Sequence, residues 1–218
     1  MVDQAVRQAI DAAAQGFRRG SWRTDRGLRA RVLWDLAKAV EDNLELLATA
    51  ITLENGKPLA QARFELSIAA PKLRYSAGLA LTDVGTAAVS SNGGASMLLK
   101  EPVGVAGIIV PWNSPVILAI RSLGPALAAG CTTAVKMPAQ TALTGALLAK
   151  IFNRVPNLPP GVINIFTESG NDGAQELVSS PSVNVISYTG STAVGAMIMA
   201  AAAPQLKRVS LELGGKLP

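Results

Sequence analysis

Three stretches of this 218-residue sequence carry residue types at spacings that suit chemistry. The first is Tyr188-Thr189-Gly190-Ser191-Thr192-Ala193-Val194-Gly195. It reads as a strand, a glycine turn, and a helix beginning at Ser/Thr. Free N–H groups and a partial positive charge at such a helix start suit a phosphate; an ordinary capped helix is the alternative. The glycine spacing resembles a Walker A loop, but Ala196 stands where its lysine must be, which excludes a P-loop ATPase. The second is Pro111-Trp112-Asn113-Ser114-Pro115. Two prolines fix the backbone around an asparagine, whose amide can then donate to a developing oxyanion or simply cap the next helix. The third is Val209-Ser210-Leu211-Glu212-Leu213-Gly214-Gly215-Lys216, a lone carboxylate in an apolar run. Burial would raise its pKa and make it a usable base; pairing with a cation such as Lys216 is the alternative.

These groups need elements to position them. From residue 103 onward, short β-branched runs alternate with helical patterns. Strands are expected at 105–110, 132–136, 162–166, 183–188 and 209–213, and helices at 114–129, 141–155, 173–179 and 191–203. The alternation implies an α/β fold with a mostly parallel, Rossmann-like sheet covered by helices on both faces. Ligands then sit at the carboxyl ends of the strands, which is where all three stretches fall. Before this lies a helical segment. Asp25 or Thr24 can cap a helix whose apolar positions Leu28, Val32, Leu33, Leu36 and Val40 run on through Leu44, Leu47 and Ile51 to the turn at Asn55-Gly56-Lys57-Pro58. A further helix is expected over 59–75, then a small and polar stretch, then a strand at 96–99. The division read here is a helical segment 1–82, an arm-like segment 83–102 and a dinucleotide-binding domain 103–218.

Composition narrows the chemistry. Hydrophobic residues make up 49% and aromatics 4%, so the core is aliphatic and the chain is no disordered segment. There is no histidine, which excludes Ser-His-Asp and Cys-His catalysis and the usual zinc sites; no metal is expected. One cysteine, Cys131, excludes an intramolecular disulfide and suggests a reducing, cytoplasmic setting. The first residues lack the apolar core of a secretion signal, and the apolar run near 196–204 is too short to span a membrane. The net charge of +5 is spread over helix faces interleaved with acids, and no base-stacking motif accompanies it, so no nucleic-acid partner is expected. Tyr188 has Thr192, not lysine, four residues on, which excludes a short-chain dehydrogenase.

Five segments then occur in a telling order: Pro111-Trp112-Asn113, Ala126–Lys136 with its A-A-G-C-T-T-A-V-K, Pro159-Pro160-Gly161-Val162-Ile163-Asn164, Gly190-Ser191-Thr192-x-x-Gly195, and Leu211-Glu212-Leu213-Gly214-Gly215-Lys216. In this order and spacing the chain resembles the N-terminal, cofactor-binding portion of aldehyde dehydrogenases, and within them the bacterial aromatic-aldehyde (vanillin- or benzaldehyde-type) enzymes. The resemblance covers essentially the whole chain. It implies NAD or NADP as cofactor and an aldehyde, of aromatic type, as the small-molecule substrate, oxidised to the acid. It also implies a homo-oligomer, with residues 85–101 matching the arm that pairs with another subunit. Asn113 would hold the oxyanion and Glu212 would activate water. Ser191 would meet the pyrophosphate and Lys136 the adenosine ribose. Val110, Pro111, Trp112, Ala139, Gly170, Gly190, Leu213 and Gly214 would line the cofactor cleft.

Departures from the family pattern matter. The nucleophilic cysteine of these enzymes lies downstream of E-L-G-G-K, so this chain alone is expected to be an inactive fragment. A non-catalytic NAD(P)-binding or regulatory module is the alternative reading. Cys131, in the A-A-G-C-T-T segment, is expected to be a small buried apolar residue. Relatives carry K-P-x-E after the second strand, whereas this chain has Lys136-Met137-Pro138-Ala139-Gln140. Without an anion at 139 to repel a 2′-phosphate, NADP should be tolerated. Arg121 occupies a position where relatives often carry an aromatic facing the substrate tunnel; it is either a tunnel cation favouring polar or anionic aldehydes, or a plain surface arginine.

Overall fold

The computed structural model describes residues 2–82 and 84–215. Four helices come first: α1 (Val2–Arg19), α2 (Arg26–Asp42), α3 (Leu44–Asn55) and α4 (Leu59–Thr82). Asp25 caps α2, its carboxylate accepting from Leu28 N at 2.8 Å, so the choice between Thr24 and Asp25 falls to Asp25. Val32, Leu33, Leu36 and Val40 are buried as their spacing requires. The continuous helix expected to residue 55 is instead broken at Asn43, whose side-chain amide donates to Ala39 O at 2.8 Å and competes with the helical ladder. The following helix, α4, is longer than expected and carries Pro71 within it.

A hairpin follows, β1 (Thr86–Val89) antiparallel to β2 (Ala95–Leu98). Every residue of both strands is exposed, and that is why β1, without any alternation, left no strand pattern to read. The expected boundary residue 83 lies outside the described residues.

The rest is the expected alternation: β3 (Val105–Ile109), α5 (Pro115–Ala128), β4 (Thr132–Met137), α6 (Ala142–Phe152), β5 (Ile163–Thr167), α7 (Asp172–Ser179), β6 (Val185–Gly190), α8 (Thr192–Ala202) and β7 (Arg208–Leu213). The five strands form one parallel sheet in the order β5-β4-β3-β6-β7. The chain winds outward from β3 to β5, then returns to lay β6 on the other side of β3. The topological reversal between β3 and β6 opens a crevice at the carboxyl ends of those strands.

Side chains alternate across the sheet and feed two cores. Ile108, Val135 and Met137 pack with α2 to α6, among Leu33, Leu36, Leu66, Ile120 and Phe152. Val105, Ile109, Ala134 and Ile186 pack on the opposite face with α1, α7 and α8, through Val6, Ile10, Leu177 and Ile198. Each of the larger side chains contributes roughly 1.5–3 kcal/mol by leaving water. The first segment therefore clasps both faces, α1 on one and α2 to α4 on the other. Trp22, fully buried, and Arg29 pin the join: Trp22 Nε1 donates to Cys131 O at 3.0 Å, and the Arg29 guanidinium donates to the carbonyls of Trp22, Arg23 and Ala128.

Candidate active site

Asn113, Ser191 and Glu212 all lie at the carboxyl edge, after or at the ends of the adjacent strands β3, β6 and β7. Pairing fixes their levels: Ile109 opposes Tyr188, and Thr189 opposes Glu212.

The loop carrying Pro111, Trp112 and Asn113 is braced from the helical segment. Val110 N donates to Lys136 O at 3.1 Å, anchoring the loop to β4. Asn55 Nδ2, from the end of α3, donates to Trp112 O at 3.0 Å. Glu65, buried on α4, accepts from the amides of Val116 and Ile117 at 3.1 and 3.2 Å, satisfying the start of α5. Lys57 Nζ bridges the Glu65 carboxylate and Ser114 Oγ. In the sequence Asn55 and Lys57 read only as part of a turn and Glu65 does not stand out; the one available signal for it is an acid on the buried face of α4 beside Ala62 and Leu66. Because Glu65 caps α5, Asn113 does not. Its exposed side-chain amide has no partner among the described residues and is free to donate into the crevice. Trp112 stands half-exposed beside it.

On β6, Gly190 leads to Ser191, the N-cap of α8, whose Oγ accepts from Val194 N at 3.3 Å. Among the described residues the amides of Thr192 and Ala193 have no acceptor, and they point out of an exposed helix start. Gly195 lacks a side chain for a packing reason: a Cβ there would meet Leu213 Cδ2 at 2.6 Å. Thr192 Oγ1 donates to Gly214 O at 3.3 Å and Gly214 N to Gly190 O at 3.2 Å, which ties the ends of β6 and β7 together.

Glu212 corrects the expectation of burial. Its side chain is 63% exposed, because β7 is an edge strand with little packed over its outer half. Among the described residues its cationic neighbour is Arg121, Nη1 at 3.9 Å; the pairing with Lys216 falls outside the described residues. Arg121 also donates to Thr189 Oγ1 at 2.8 Å. It is therefore no plain surface arginine: from α5 it reaches the ends of both β6 and β7.

At the other end of the edge, Lys136, which the resemblance places at the adenosine ribose, is buried. Its Nζ lies 3.5 Å from Glu168 Oε1, with side-chain exposures of 10% and 0%. Glu168 follows β5 and accepts from Gly173 N and Ala174 N at 2.7 and 3.1 Å, holding the start of α7. Ala139 and Gly170 are exposed at the same edge, and a Cβ at Gly170 would meet nothing.

This chain architecture has relatives. The family model described as the aldehyde dehydrogenase family matches residues 2–218. The chain belongs to the aldehyde dehydrogenase family. It is 40% identical over 219 residues to succinate-semialdehyde dehydrogenase [NADP(+)] 1 of Schizosaccharomyces pombe, covering 99% of this chain and 43% of that protein. An NAD-dependent aldehyde dehydrogenase from Sinorhizobium meliloti superposes with a TM-score of 0.94 at 38% identity, over 99% of this chain and 43% of that one. An aldehyde dehydrogenase from Bacillus cereus, solved as an NAD+ complex, gives a TM-score of 0.94 at 34% identity over 99% of this chain and 44% of that one. The chain thus spans less than half the length of these relatives.

Against other aldehyde dehydrogenases, the position of Cys131 decides what this chain can supply. It is buried at the amino end of β4, opposite the crevice, and burial pushes its thiol above the ordinary cysteine range. It is the small apolar residue expected. A cavity of about 800 Å³ opens at that same amino edge, between Arg23, Arg26, Cys131 and Arg208. It is not the candidate site, since Asn113, Ser191 and Glu212 lie across the sheet from it. No helix among the described residues is long and apolar enough to cross a membrane.

Proposed function

We propose that this chain binds NAD or NADP across the carboxyl edge of its sheet and supplies two of the groups needed to oxidise an aldehyde. The observation that carries this reading is the convergence of Asn113, Ser191 and Glu212 on one edge, beside the unpaired amides of α8, in a member of the aldehyde dehydrogenase family. The residues present fit a dinucleotide. The start of α8 offers N–H donors to a pyrophosphate, and Ser191 and Gly214 are exposed, while the missing side chain of Gly190 makes room for the Tyr188 ring. Val110, Pro111, Trp112 and Leu213 border the β3–β7 half, and Lys136, Ala139 and Gly170 the β4–β5 half. When bound, the nicotinamide supplies a hydride acceptor.

Asn113, with its amide unengaged, donates to the oxygen of the aldehyde as negative charge develops on it. Glu212 takes a proton from water. The attacking thiol comes from outside these residues, because Cys131 faces the wrong edge, so the chain alone turns over no aldehyde. Arg121, beside Glu212 and Thr189, supports a polar or anionic aldehyde of aromatic type. The exposed hairpin of β1 and β2 suits an oligomerisation arm, and the lone thiol suits a reducing cytoplasm.

The test is a titration of the purified chain with NADH, followed by fluorescence. Ser191→Asp keeps a side-chain oxygen for the helix cap but puts a negative charge on the phosphate site. We expect saturable NADH binding that weakens at least about tenfold in Ser191→Asp with the melting temperature unchanged. Equal affinity in both proteins sinks the proposal. Benzaldehyde with NAD+ and the chain should give no NADH.

A further inference from the structure

The replacement of an acid by Ala139 argues, by itself, for tolerance of NADP. The neighbouring strand end argues otherwise. In the reading above, the adenosine half of the dinucleotide lies over β4 and β5, where Lys136 is the cation to which a 2′-phosphate would turn. That cation is already engaged. Glu168 holds its Nζ at 3.5 Å, and Glu168 itself cannot move away freely, because Gly173 N and Ala174 N grip its two oxygens at 2.7 and 3.1 Å. The carboxylate is wholly covered and Lys136 nearly so. Charge at this place therefore sums to zero and is locked below the surface. A ribose carrying free hydroxyls loses little by this. A dianionic phosphate finds no net positive charge, and must be stripped of water beside a fixed carboxylate.

We propose that Glu168 sets the cofactor preference of this chain by sequestering Lys136, so that NAD is favoured over NADP despite Ala139. The proposal rests on the dinucleotide site proposed above. Glu168 is a positioning residue: it acts through Lys136 and does not touch the cofactor. Its position in the loop after β5, beyond the strand that carries Lys136, explains why the local sequence after β4 does not reveal it.

The experiment compares the affinities of the chain for NADH and NADPH, by fluorescence titration, in wild type, Glu168→Gln and the double variant Lys136→Met/Glu168→Gln. Wild type should bind NADH about tenfold more tightly than NADPH. Glu168→Gln keeps an acceptor for α7 and releases the lysine charge; NADPH should tighten about tenfold while NADH changes less than about threefold. The double variant restores zero net charge and should return to the wild-type ratio. A wild type that binds both equally, or NADPH better, overturns the proposal, and does so even if Glu168→Gln fails to fold. A Glu168→Gln protein with a lowered melting temperature but an unchanged ratio also overturns it, leaving Glu168 as a helix cap only. If wild type binds neither dinucleotide, the site itself is wrong and this proposal falls with it, an outcome distinct from loss of preference alone.

Discussion

Glu65 offers the sharpest test of how the helical segment supports the crevice. In Glu65→Ala the amides of Val116 and Ile117 lose their acceptor, at a helix start whose N–H groups have no intrahelical partner. Each bond to a charged acceptor is worth roughly 1.5–3 kcal/mol, and the two share one carboxylate, so they do not add fully. Lys57, with only 15% of its side chain exposed, would be left without its counter-charge. Removing one partner of a covered pair costs about 3–5 kcal/mol, much of it already counted in these terms. We therefore expect a loss of about 4 kcal/mol, which for a chain of this size is a fall of about 8–16 °C in melting temperature. Circular dichroism melts and urea titrations read it directly. Glu65→Gln, which keeps one oxygen, should lose about half as much. NADH affinity should fall in both variants beyond any effect of unfolding, since Pro111 and Trp112, which border the proposed cofactor site, lie in the loop just before the helix start that Glu65 holds. A melting temperature within about 3 °C of wild type in Glu65→Ala would refute the reasoning.

Other expectations concern titrating groups. Burial brings Lys207 down to about 8, although its ammonium donates to the carbonyls of Leu177 and Ser180. The unfolded chain, with lysine near 10.4, holds more protons between those values, so this group makes stability rise with pH across that window. The melting-temperature difference of Lys207→Met minus wild type should accordingly shrink between pH 7 and pH 10; a constant difference would contradict the assignment. Cys131 carries a raised pKa, so its contribution runs the other way, with stability lost as pH climbs past the unfolded thiol near 8.5. A disulfide reagent at pH 8 should label the native chain at least about 100-fold more slowly than the urea-unfolded one, and labelling at the free-thiol rate would show Cys131 to be accessible.

The sheet was legible in the sequence because its strands are short β-branched runs between helical patterns, and a strand buried on both faces leaves that mark. The edge strand misled for the same reason. Val209, Leu211 and Leu213 look like a covered strand, but little packs over the outer half of β7, and Glu212 stands in solvent. Asn43 broke a helix whose apolar spacing carried on regardless, since Leu44, Leu47 and Ile51 keep the period on the far side of the break. The supporting acids were illegible for a different reason. Glu65 meets amides 51 and 52 residues further on, and Glu168 meets a lysine on another strand. Composition and periodicity report on neighbours along a helix or strand, and neither records which distant amide a carboxylate will find. Asn113 and Ser191 could be placed at the crevice because a strand end and a helix start are local features.

The position of α1 has a consequence for how the molecule comes to exist. Its Ala13 carbonyl accepts from Thr132 Oγ1, 119 residues later, and its Val6 and Ile10 lie against Leu177 and Val178. At a synthesis rate of 5–20 residues per second, the helix emerges from the ribosome on the order of ten seconds before these partners do. For that interval its apolar stripe has no native surface to join. Until then that stripe is an apolar surface of the kind a chaperone shields, and α1 docks only after the strands and helices it covers have been made.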